Sequence, residues 1–164
     1  MLLIYYRVAN WLVRIHIPII PIFLYYCMRS IKSSSVPPTC SIGRGTKFAY
    51  GGIGVVIHNR AVIGNNCMIG QGVTIGGKSG WYEVPIIGDN VVISAGARLL
   101  GPIKIGNNVI IGANAVVVKD VPDNCVVAGV PAKIIRNNMK PVDFEEMMHD
   151  KVRGNNSFPI TPLL

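Results

Sequence analysis

Histidine is the side chain best suited to remove a proton near neutral pH, because its ordinary pKa lies close to that pH. The chain contains three histidines, His16, His58 and His149. His58 directly follows an aliphatic position of a regular repeat, so we expect its imidazole to point away from the packed interior. We therefore predict that His58 is the general base of a site that activates a hydroxyl group. The alternative interpretation is an exposed corner histidine without a catalytic role.

A short interruption of that repeat, residues 78–85, carries polar and aromatic side chains suited to holding a small molecule. Trp81 and Tyr82 can stack on a sugar ring, and Glu83 can bind a hydroxyl or an ammonium group. Lys78 can bind a carboxylate, so a free amino acid would also find both charges that it needs. We predict that these four residues bind the acceptor molecule. The alternative is that Trp81 and Tyr82 only pack against a neighbouring subunit.

The element that must position these residues repeats every six residues. Ten aliphatic residues are separated by multiples of six, and only Trp81 interrupts the series: Ile57, Ile63, Ile69, Ile75, Ile87, Ile93, Leu99, Ile105, Ile111 and Val117. Glycine follows six of them, at Gly64, Gly70, Gly76, Gly88, Gly106 and Gly112. Neither an α-helix nor a flat strand has this period. A chain that runs straight for one side, turns a corner and repeats does have it, which predicts a parallel β-helix of hexapeptide repeats.

The repeat divides the chain into three parts. We predict an apolar N-terminal helical segment at residues 1–35, the β-helix at residues 36–135 and a C-terminal tail at residues 136–164. Residues 33–38 are rich in Ser and Pro and are predicted to be a linker. The six-residue series is lost after Val117, where we expect the chain to leave the regular coils. In the tail, residues 143–148 are predicted to form a short helix.

Composition limits the possible partners. The formal net charge is +8, but the repeat region lacks clustered basic residues with interleaved aromatics, so we expect no nucleic-acid partner. The four cysteines are widely spaced and form no metal-binding pattern. We therefore expect reduced, structural cysteines in a cytoplasmic protein that needs no metal.

The N-terminal segment leaves two interpretations open. Leu2, Tyr6, Ala9 and Val13 recur at helical spacing, but Pro18 and Pro21 interrupt the apolar sequence that follows. No uninterrupted apolar stretch is long enough for a membrane-spanning helix, and no secretory cleavage site is evident. One interpretation is a helical cap or oligomerisation element on the first coil. The other is peripheral contact of residues 1–32 with a membrane surface, at the inner face of the membrane.

Several runs carry a resemblance to a known family. They are residues 42–45 (IGRG), 72–77 (GVTIGG), 93–97 (ISAGA), 111–115 (IGANA) and 128–133 (AGVPAK). From Ile42 to Ile135 the sequence resembles the hexapeptide-repeat acyltransferases, and within them the serine acetyltransferase branch. This resemblance implies that the β-helix is left-handed. It also implies a homotrimer that holds acetyl-CoA, as co-substrate, in the clefts between subunits.

The resemblance also implies roles for individual residues. Ala95, Ala113 and Val118 match positions whose backbones contact the pantetheine arm of CoA. Lys119, Lys133 and Arg136 match basic positions near the nucleotide phosphates. Gly76 and Gly77 match glycines that line the thioester end, where backbone N–H groups would stabilise the oxyanion.

The sequence departs from the serine acetyltransferase pattern on the acceptor side. Tyr50 stands where the family has its catalytic His, Ser35 stands where it has the Asp that orients that His, and a further loop His falls near Val84. Tyr50 is therefore predicted to bind substrate, and His58 is predicted to act as base from a nearby position. The short apolar N-terminus is similar to that of relatives from surface-polysaccharide gene clusters.

These observations lead to one expectation and two alternatives. We expect an acetyl-CoA-dependent O-acetyltransferase whose acceptor is a saccharide hydroxyl in surface-polysaccharide biosynthesis. The first alternative is a serine O-acetyltransferase of cysteine biosynthesis. The second is a catalytically silent β-helix scaffold that binds partners on its flat sides.

Overall fold

Three parallel sheets form the sides of a triangular prism. The computed structural model describes residues 2–17 and 19–137. Face 1 has the strand order β1-β4-β7-β10, face 2 has the order β14-β13-β11-β8-β5-β2, and face 3 has the order β12-β9-β6-β3. From β1 to β13, successive strands therefore lie on different faces, and each pairs in parallel with a strand one coil away, while β14 returns antiparallel to β13 on face 2. We call the corner between faces 2 and 3 edge 2–3, and the corner between faces 3 and 1 edge 3–1.

The strands are short because each occupies only the straight part of one side. Their bounds are β1 Ser41–Ile42, β2 Lys47–Phe48, β3 Val56–Ile57, β4 Val62–Ile63, β5 Met68–Ile69, β6 Thr74–Gly76, β7 Ile86–Ile87, β8 Val92–Ile93, β9 Arg98–Leu100, β10 Lys104–Ile105, β11 Ile110–Ile111, β12 Val116–Val117, β13 Val126–Gly129 and β14 Ala132–Arg136. A 3₁₀ turn, Ala49–Gly52, lies between β2 and β3.

The predicted aliphatic positions form the core of the prism. On face 1, Ile63 pairs in register with Ile87, and on face 3, Ile75 pairs with Leu99. All ten residues of the series are buried. Stacking aliphatic residues, most of them β-branched, in successive coils fills the narrow interior with few rotamers. The six-residue period is therefore confirmed as the period of the core.

One corner of the prism is held by a ladder of side-chain amides and carboxylates. The backbone N–H of Asn65 donates to Asp89 Oδ1 at 2.6 Å, that of Asp89 to Asn107 Oδ1 at 2.8 Å, and that of Asn107 to Asp123 Oδ1 at 2.7 Å. The coils approach so closely here that a Cβ atom at Gly64 would lie 2.4 Å from the carbonyl oxygen of the next coil. Glycine is required at this corner for that reason, and the ladder satisfies the N–H groups that the turn leaves without strand partners.

The coil continues beyond the point where the sequence period is lost. Val121 bridges to Ile105, and Val127 pairs with Ile111, so both extend the buried column. Sixteen residues separate each of these pairs, whereas Ile87 and Ile105 are 18 residues apart. The prediction that the chain leaves the coils after Val117 is therefore wrong. A turn shorter by two residues changes the spacing in the sequence without ending the stack.

Two helices precede the prism, as predicted for the N-terminal segment. They are α1 Leu2–Arg14 and α2 Ile19–Lys32. One side of α1 covers the open end of the first coil: Tyr6 Oη donates to the carbonyl of Cys40 at 2.7 Å, and Asn10 Nδ2 donates to that of Pro38 at 2.7 Å. Helix α1 is therefore a cap on the first coil. Within the described residues, no helix is long and apolar enough to cross a membrane.

The segment predicted as a linker is part of the first coil. Val36 is fully buried, and the N–H of Ser35 donates to the carbonyl of Val55 at 2.8 Å. The N–H of Ile57 donates back to the carbonyl of Ser35 at 2.8 Å. The linker prediction is therefore wrong, because the Ser and Pro residues serve as one side of the coil. The helix predicted at residues 143–148, and His149 beyond it, lie outside the described residues.

The cysteines of the prism are free thiols inside the core. Cys40, Cys67 and Cys125 are buried, and Cys27 in α2 is half-buried. Burial raises the pKa of Cys40 to about 12 and also raises the pKa of Cys67. These neutral thiols therefore pack as small apolar side chains.

The strand Ile86–Ile87 provides a matched test of the core. Ile87 is 2% exposed and Ile86 is 47% exposed, so the two neighbours face opposite sides of the same strand. We expect Ile87→Ala to lower the free energy of unfolding by about 2–5 kcal/mol, because it leaves a cavity in the column. Ile86→Ala is the control and should change it by less than about 1 kcal/mol. Urea denaturation followed by circular dichroism measures both; equal losses would contradict the buried column.

Candidate active site

Edge 3–1 is a row of stacked corner residues. His58, Gly76, Leu100 and Val118 each follow the last core residue of a face 3 strand. The N–H of His58 donates to the carbonyl of Ile75 at 2.8 Å, which joins the first two coils at this edge. The predicted residues His58, Gly76 and Val118 therefore lie on one edge.

The imidazole of His58 lies beside the glycine pair of the next coil. His58 is half-buried, and a Cβ atom at Gly77 would lie 3.7 Å from His58 Cδ2 and 3.9 Å from Nε2. A larger residue at position 77 would therefore cover the Nε2 side of the ring. Glycine at position 77 therefore leaves space beside this side of the ring.

The other ring nitrogen of His58 already has a hydrogen-bond donor. The backbone N–H of Arg60 donates to His58 Nδ1 at 3.2 Å. In a neutral imidazole with Nδ1 accepting, the proton sits on Nε2, so Nε2 is a donor in this arrangement. Nε2 can accept a proton only after the ring changes tautomer and gives up the bond from Arg60. No Asp or Glu of the described residues hydrogen-bonds to the ring to support that change.

The predicted loop does protrude, and Arg60 holds it against the coil of His58. Arg60 Nη2 donates to the carbonyl of Tyr82 at 2.5 Å, and its guanidinium carbon lies 3.9 Å from the centroid of the Tyr82 ring. One face of this aromatic ring is therefore covered by the cation. Arg60 is the site residue that the sequence analysis missed. Its position two residues after His58 was the only available signal, and no spacing rule connects it to the loop.

The remaining loop residues are open to solvent. The N–H of Trp81 donates to the carbonyl of Lys78 at 3.1 Å, which closes a turn, and Lys78 Nζ lies 5.6 Å from the centroid of the Trp81 ring. Trp81 is 55% exposed, and Glu83 is also exposed. The loop therefore presents a cation, an indole and a carboxylate next to edge 3–1.

Three more predicted residues, Ala95, Ala113 and Lys133, lie on or near edge 2–3, whereas Arg136, opposite Val126 at the start of β13, lies toward the other end of face 2. Ala95 and Ala113 follow the core residues of β8 and β11 on face 2, and the N–H of Asn114 donates to the carbonyl of Ala95 at 2.9 Å. Lys133 and Arg136 are exposed on β14, which pairs antiparallel with β13 at the last coil.

Tyr50 also belongs to edge 2–3, in the 3₁₀ turn that follows β2. It is 76% exposed, and its backbone is in the left-handed region with φ 50°. His58 lies at the far end of the next strand, β3, on edge 3–1. The expectation that His58 replaces the residue at position 50 from a nearby position is therefore wrong within a single chain.

The predicted site is thus divided between the two edges of face 3. His58, Gly76, Gly77, Val118 and Lys119 lie at edge 3–1 with the loop. Tyr50, Ala95, Ala113 and Lys133 lie at edge 2–3, and Arg136 lies on face 2 away from that edge. A side of six residues is at most roughly 20 Å long, so side chains on the two edges do not meet across face 3. Among residues 2–17 and 19–137, no group of three His, Cys, Asp or Glu side chains is placed to hold a metal ion.

Two family models match the prism. Residues 85–119 match the bacterial transferase hexapeptide model of six repeats, and residues 60–100 match the model for the hexapeptide repeat of succinyl-transferase. The matched ranges include Gly76, Gly77, Val118 and Lys119 of edge 3–1, and both begin after His58.

Individual relatives are serine acetyltransferases. The chain is 40% identical to the serine acetyltransferase of Synechococcus elongatus over 156 residues, which cover 92% of this chain and 64% of the relative. The solved serine acetyltransferase of Neisseria gonorrhoeae in complex with serine has a TM-score of 0.77 and 36% identity, covering 82% of this chain and 55% of that chain. A solved serine acetyltransferase in complex with CoA has a TM-score of 0.75 and 34% identity, and the match covers 82% of this chain and 55% of that chain. The chain therefore spans between about half and two thirds of the length of these relatives.

These likenesses confirm one expectation and correct another. The shared fold confirms the left-handed parallel β-helix with a short N-terminal helical segment. The expectation of a saccharide acceptor in surface-polysaccharide biosynthesis is wrong, because these relatives are serine acetyltransferases. The exposed aromatic residues of the loop suggested sugar stacking, but Arg60 covers one face of Tyr82. Together, the repeat, the family models and the solved relatives show that the chain belongs to the hexapeptide-repeat acyltransferases, in their serine acetyltransferase-like branch.

Proposed function

We propose that this protein transfers the acetyl group of acetyl-CoA to the hydroxyl of L-serine. The observation that carries the proposal is the 40% identity to a serine acetyltransferase over 92% of the chain. Solved relatives hold serine in one case and CoA in another, and the present chain has the same fold over more than four fifths of its length. The proposal makes acetyl-CoA a co-substrate and L-serine the acceptor.

The proposed reaction is a direct transfer in a ternary complex. The serine Oγ attacks the thioester carbonyl carbon, and its proton passes to a general base. Backbone N–H groups near Gly76 and Gly77 stabilise the oxyanion of the tetrahedral intermediate. The intermediate then collapses, the C–S bond breaks, and the thiolate of CoA takes the proton back from the base.

His58 is the proposed base in this scheme. Its Nε2 lies beside Gly77, where the thioester end is proposed to bind. Acting as a base requires the tautomer with the proton on Nδ1, which gives up the 3.2 Å bond from the Arg60 N–H. Loss of one such bond costs about 1 kcal/mol. This cost is small compared with the rate enhancement of roughly 10²–10⁴-fold that a general base contributes.

The loop supplies the proposed contacts to the serine backbone groups. Lys78 would bind the carboxylate and Glu83 the ammonium group, and both side chains are exposed beside edge 3–1. Arg60 would keep the loop in place through the Tyr82 carbonyl and ring. Tyr50, on edge 2–3, is proposed to reach the acceptor of a neighbouring copy.

The division of the candidate residues between two edges supports a cyclic homotrimer. In a ring of copies, edge 3–1 of one copy can face edge 2–3 of the next, which brings the two groups together. The pantetheine arm would then lie in this cleft, against Ala95, Ala113 and Val118. Lys119, Lys133 and Arg136, all exposed, would lie near the phosphates.

Release of CoA thiol tests the proposed activity directly. With acetyl-CoA and L-serine we expect steady release, because the acceptor hydroxyl completes the transfer. L-alanine, which lacks the hydroxyl, is the matched control and should give only the slow background of thioester hydrolysis. Release at the same rate with L-alanine, or with no acceptor, would contradict the proposal.

Two substitutions of His58 separate a base from a hydrogen-bond donor. We expect His58→Ala and His58→Gln both to lower kcat by roughly 10²–10⁴-fold, because neither can take up the proton. Glutamine still offers an N–H donor, so wild-type turnover in His58→Gln would show that His58 is not the base. Asn59→Ala, at the exposed neighbouring position, is the control and should keep kcat within about twofold.

Arg60→Lys tests whether the loop positions serine. A lysine cannot both donate to the Tyr82 carbonyl and cover its ring as the planar guanidinium does. We expect the KM for L-serine to rise roughly tenfold, while the KM for acetyl-CoA stays within about twofold. Arg44→Lys is the control, because Arg44 is exposed and precedes β2, away from the loop. An unchanged KM for L-serine would contradict this role of Arg60.

A further inference from the structure

The outer side of α1 is an apolar stripe that the prism does not cover. Ile4, Val8, Trp11 and Ile15 follow one another at intervals of four, three and four residues, so they lie on one side of the helix axis. Ile4 is 67% exposed and Trp11 is 59% exposed. The inner side of the same helix is the cap described above, so α1 is apolar on two separate sides.

Helix α2 adds a second exposed apolar stripe. Ile19, Ile22, Phe23 and Tyr26 have helical spacing, and Phe23 is 66% exposed. The two helices pack against each other, and residues of both line one crevice with apolar walls that includes Val13, Ile17, Pro21 and Ile22. This crevice lies on the inner side of α1, because Val13 has the spacing of the buried residues Leu2, Tyr6 and Ala9. The exposed apolar residues form the outer stripes of two helices that pack against each other. We call them the α1–α2 face: Ile4, Val8, Trp11, Ile15, Ile19, Ile22, Phe23 and Tyr26.

The net positive charge of the chain lies in the same half of the sequence. The first 82 residues contain eight Lys and Arg and no Asp or Glu, and all eight acidic residues follow. Arg14 and Arg29, at the ends of the two helices, are exposed. The region around the α1–α2 face is therefore cationic as well as apolar, with Trp and Tyr among its exposed side chains.

We propose that the α1–α2 face binds the surface of an anionic lipid bilayer. Its aliphatic and aromatic side chains would enter the boundary between headgroups and acyl chains, and Arg14 and Arg29 would pair with anionic headgroups. A second copy of this chain is a poorer occupant, because a two-fold contact would bring the same cations together with no acidic residue in this part of the chain to pair with them.

The fixed position of α1 makes the binding peripheral. Arg7 Nη1 donates to the carbonyl of Ile42 at 2.8 Å and Nη2 donates to that of Gly43 at 2.6 Å, which ties the helix to the first coil. Helix α1 has 13 residues and α2 has 14, so each would lie in the interface rather than cross it. The proposal does not depend on acetyl transfer.

Vesicle co-sedimentation of the full chain tests the proposal. We expect binding to vesicles that contain phosphatidylglycerol, and little binding to vesicles of phosphatidylcholine alone. Raising the salt concentration should weaken the binding, because screening removes the attraction to the headgroups. Equal binding to both kinds of vesicle, or none to either, would overturn the proposal.

Two pairs of variants locate the contact. The double variant Trp11→Ser with Phe23→Ser should lower the partition coefficient at least roughly tenfold, and Arg14→Gln with Arg29→Gln should lower it roughly 30-fold. The controls are Val62→Ser with Ile86→Ser, which are exposed on face 1, and Arg44→Gln. Circular dichroism checks that each variant is folded, and sedimentation velocity measures its assembly. Unchanged vesicle binding of the α1–α2 variants would overturn the proposal. Dissociation of these variants into smaller assemblies would also overturn it, because the face would then be a contact between copies.

Discussion

The structure depends on the registered stacking of one aliphatic side chain per side of the prism. Each coil must place a residue such as Ile75 directly on its counterpart, Leu99, in the next coil. Extra residues can therefore enter only at a corner, since an insertion within a strand would turn the core residue outward. The two insertions near the candidate site follow this rule. The turn Ala49–Gly52 leaves at edge 2–3, and the loop of residues 78–85 leaves at edge 3–1.

The same constraint explains why the candidate residues lie at corners. Side chains that point inward are committed to the column, and the narrow interior has no room for a ligand. Residues that directly follow a core position, such as His58 and Val118, point away from the column and repeat at one edge. A ligand that is long and thin can therefore bind along an edge, and a second prism can provide the opposite wall of its cleft.

The sequence predicted the features that depend on this period. The column, the corner glycines and the protruding loop were all predicted because each is a local consequence of a six-residue spacing. Features that depend on contacts between distant segments were not predicted. Residues 33–38 have the composition of a linker, and only their pairing with Val55 and Ile57 shows that they are a side of the coil. Val127 continues the stack after a shorter turn, which the spacing alone cannot reveal.

In the candidate site too, some features follow from the six-residue period and others depend on contacts that the spacing does not show. The position of His58 follows from the repeat, but the bond from the Arg60 N–H to its Nδ1 depends on the conformation of one corner. The contact of Arg60 with Tyr82 likewise depends on how the loop folds back. The sequence does not reveal this contact, so its exposed aromatic residues favoured a sugar. Exposed aromatic side chains therefore do not by themselves identify the molecule that a loop would bind.

The most direct measurement is a crystal structure of the protein with CoA bound. We expect the pantetheine arm to lie between edge 3–1 of one copy and edge 2–3 of the next, so that neither copy alone contains the site. CoA held entirely by one chain, or bound to a chain that crystallises and sediments as a monomer, would contradict the assembly of the site from two edges.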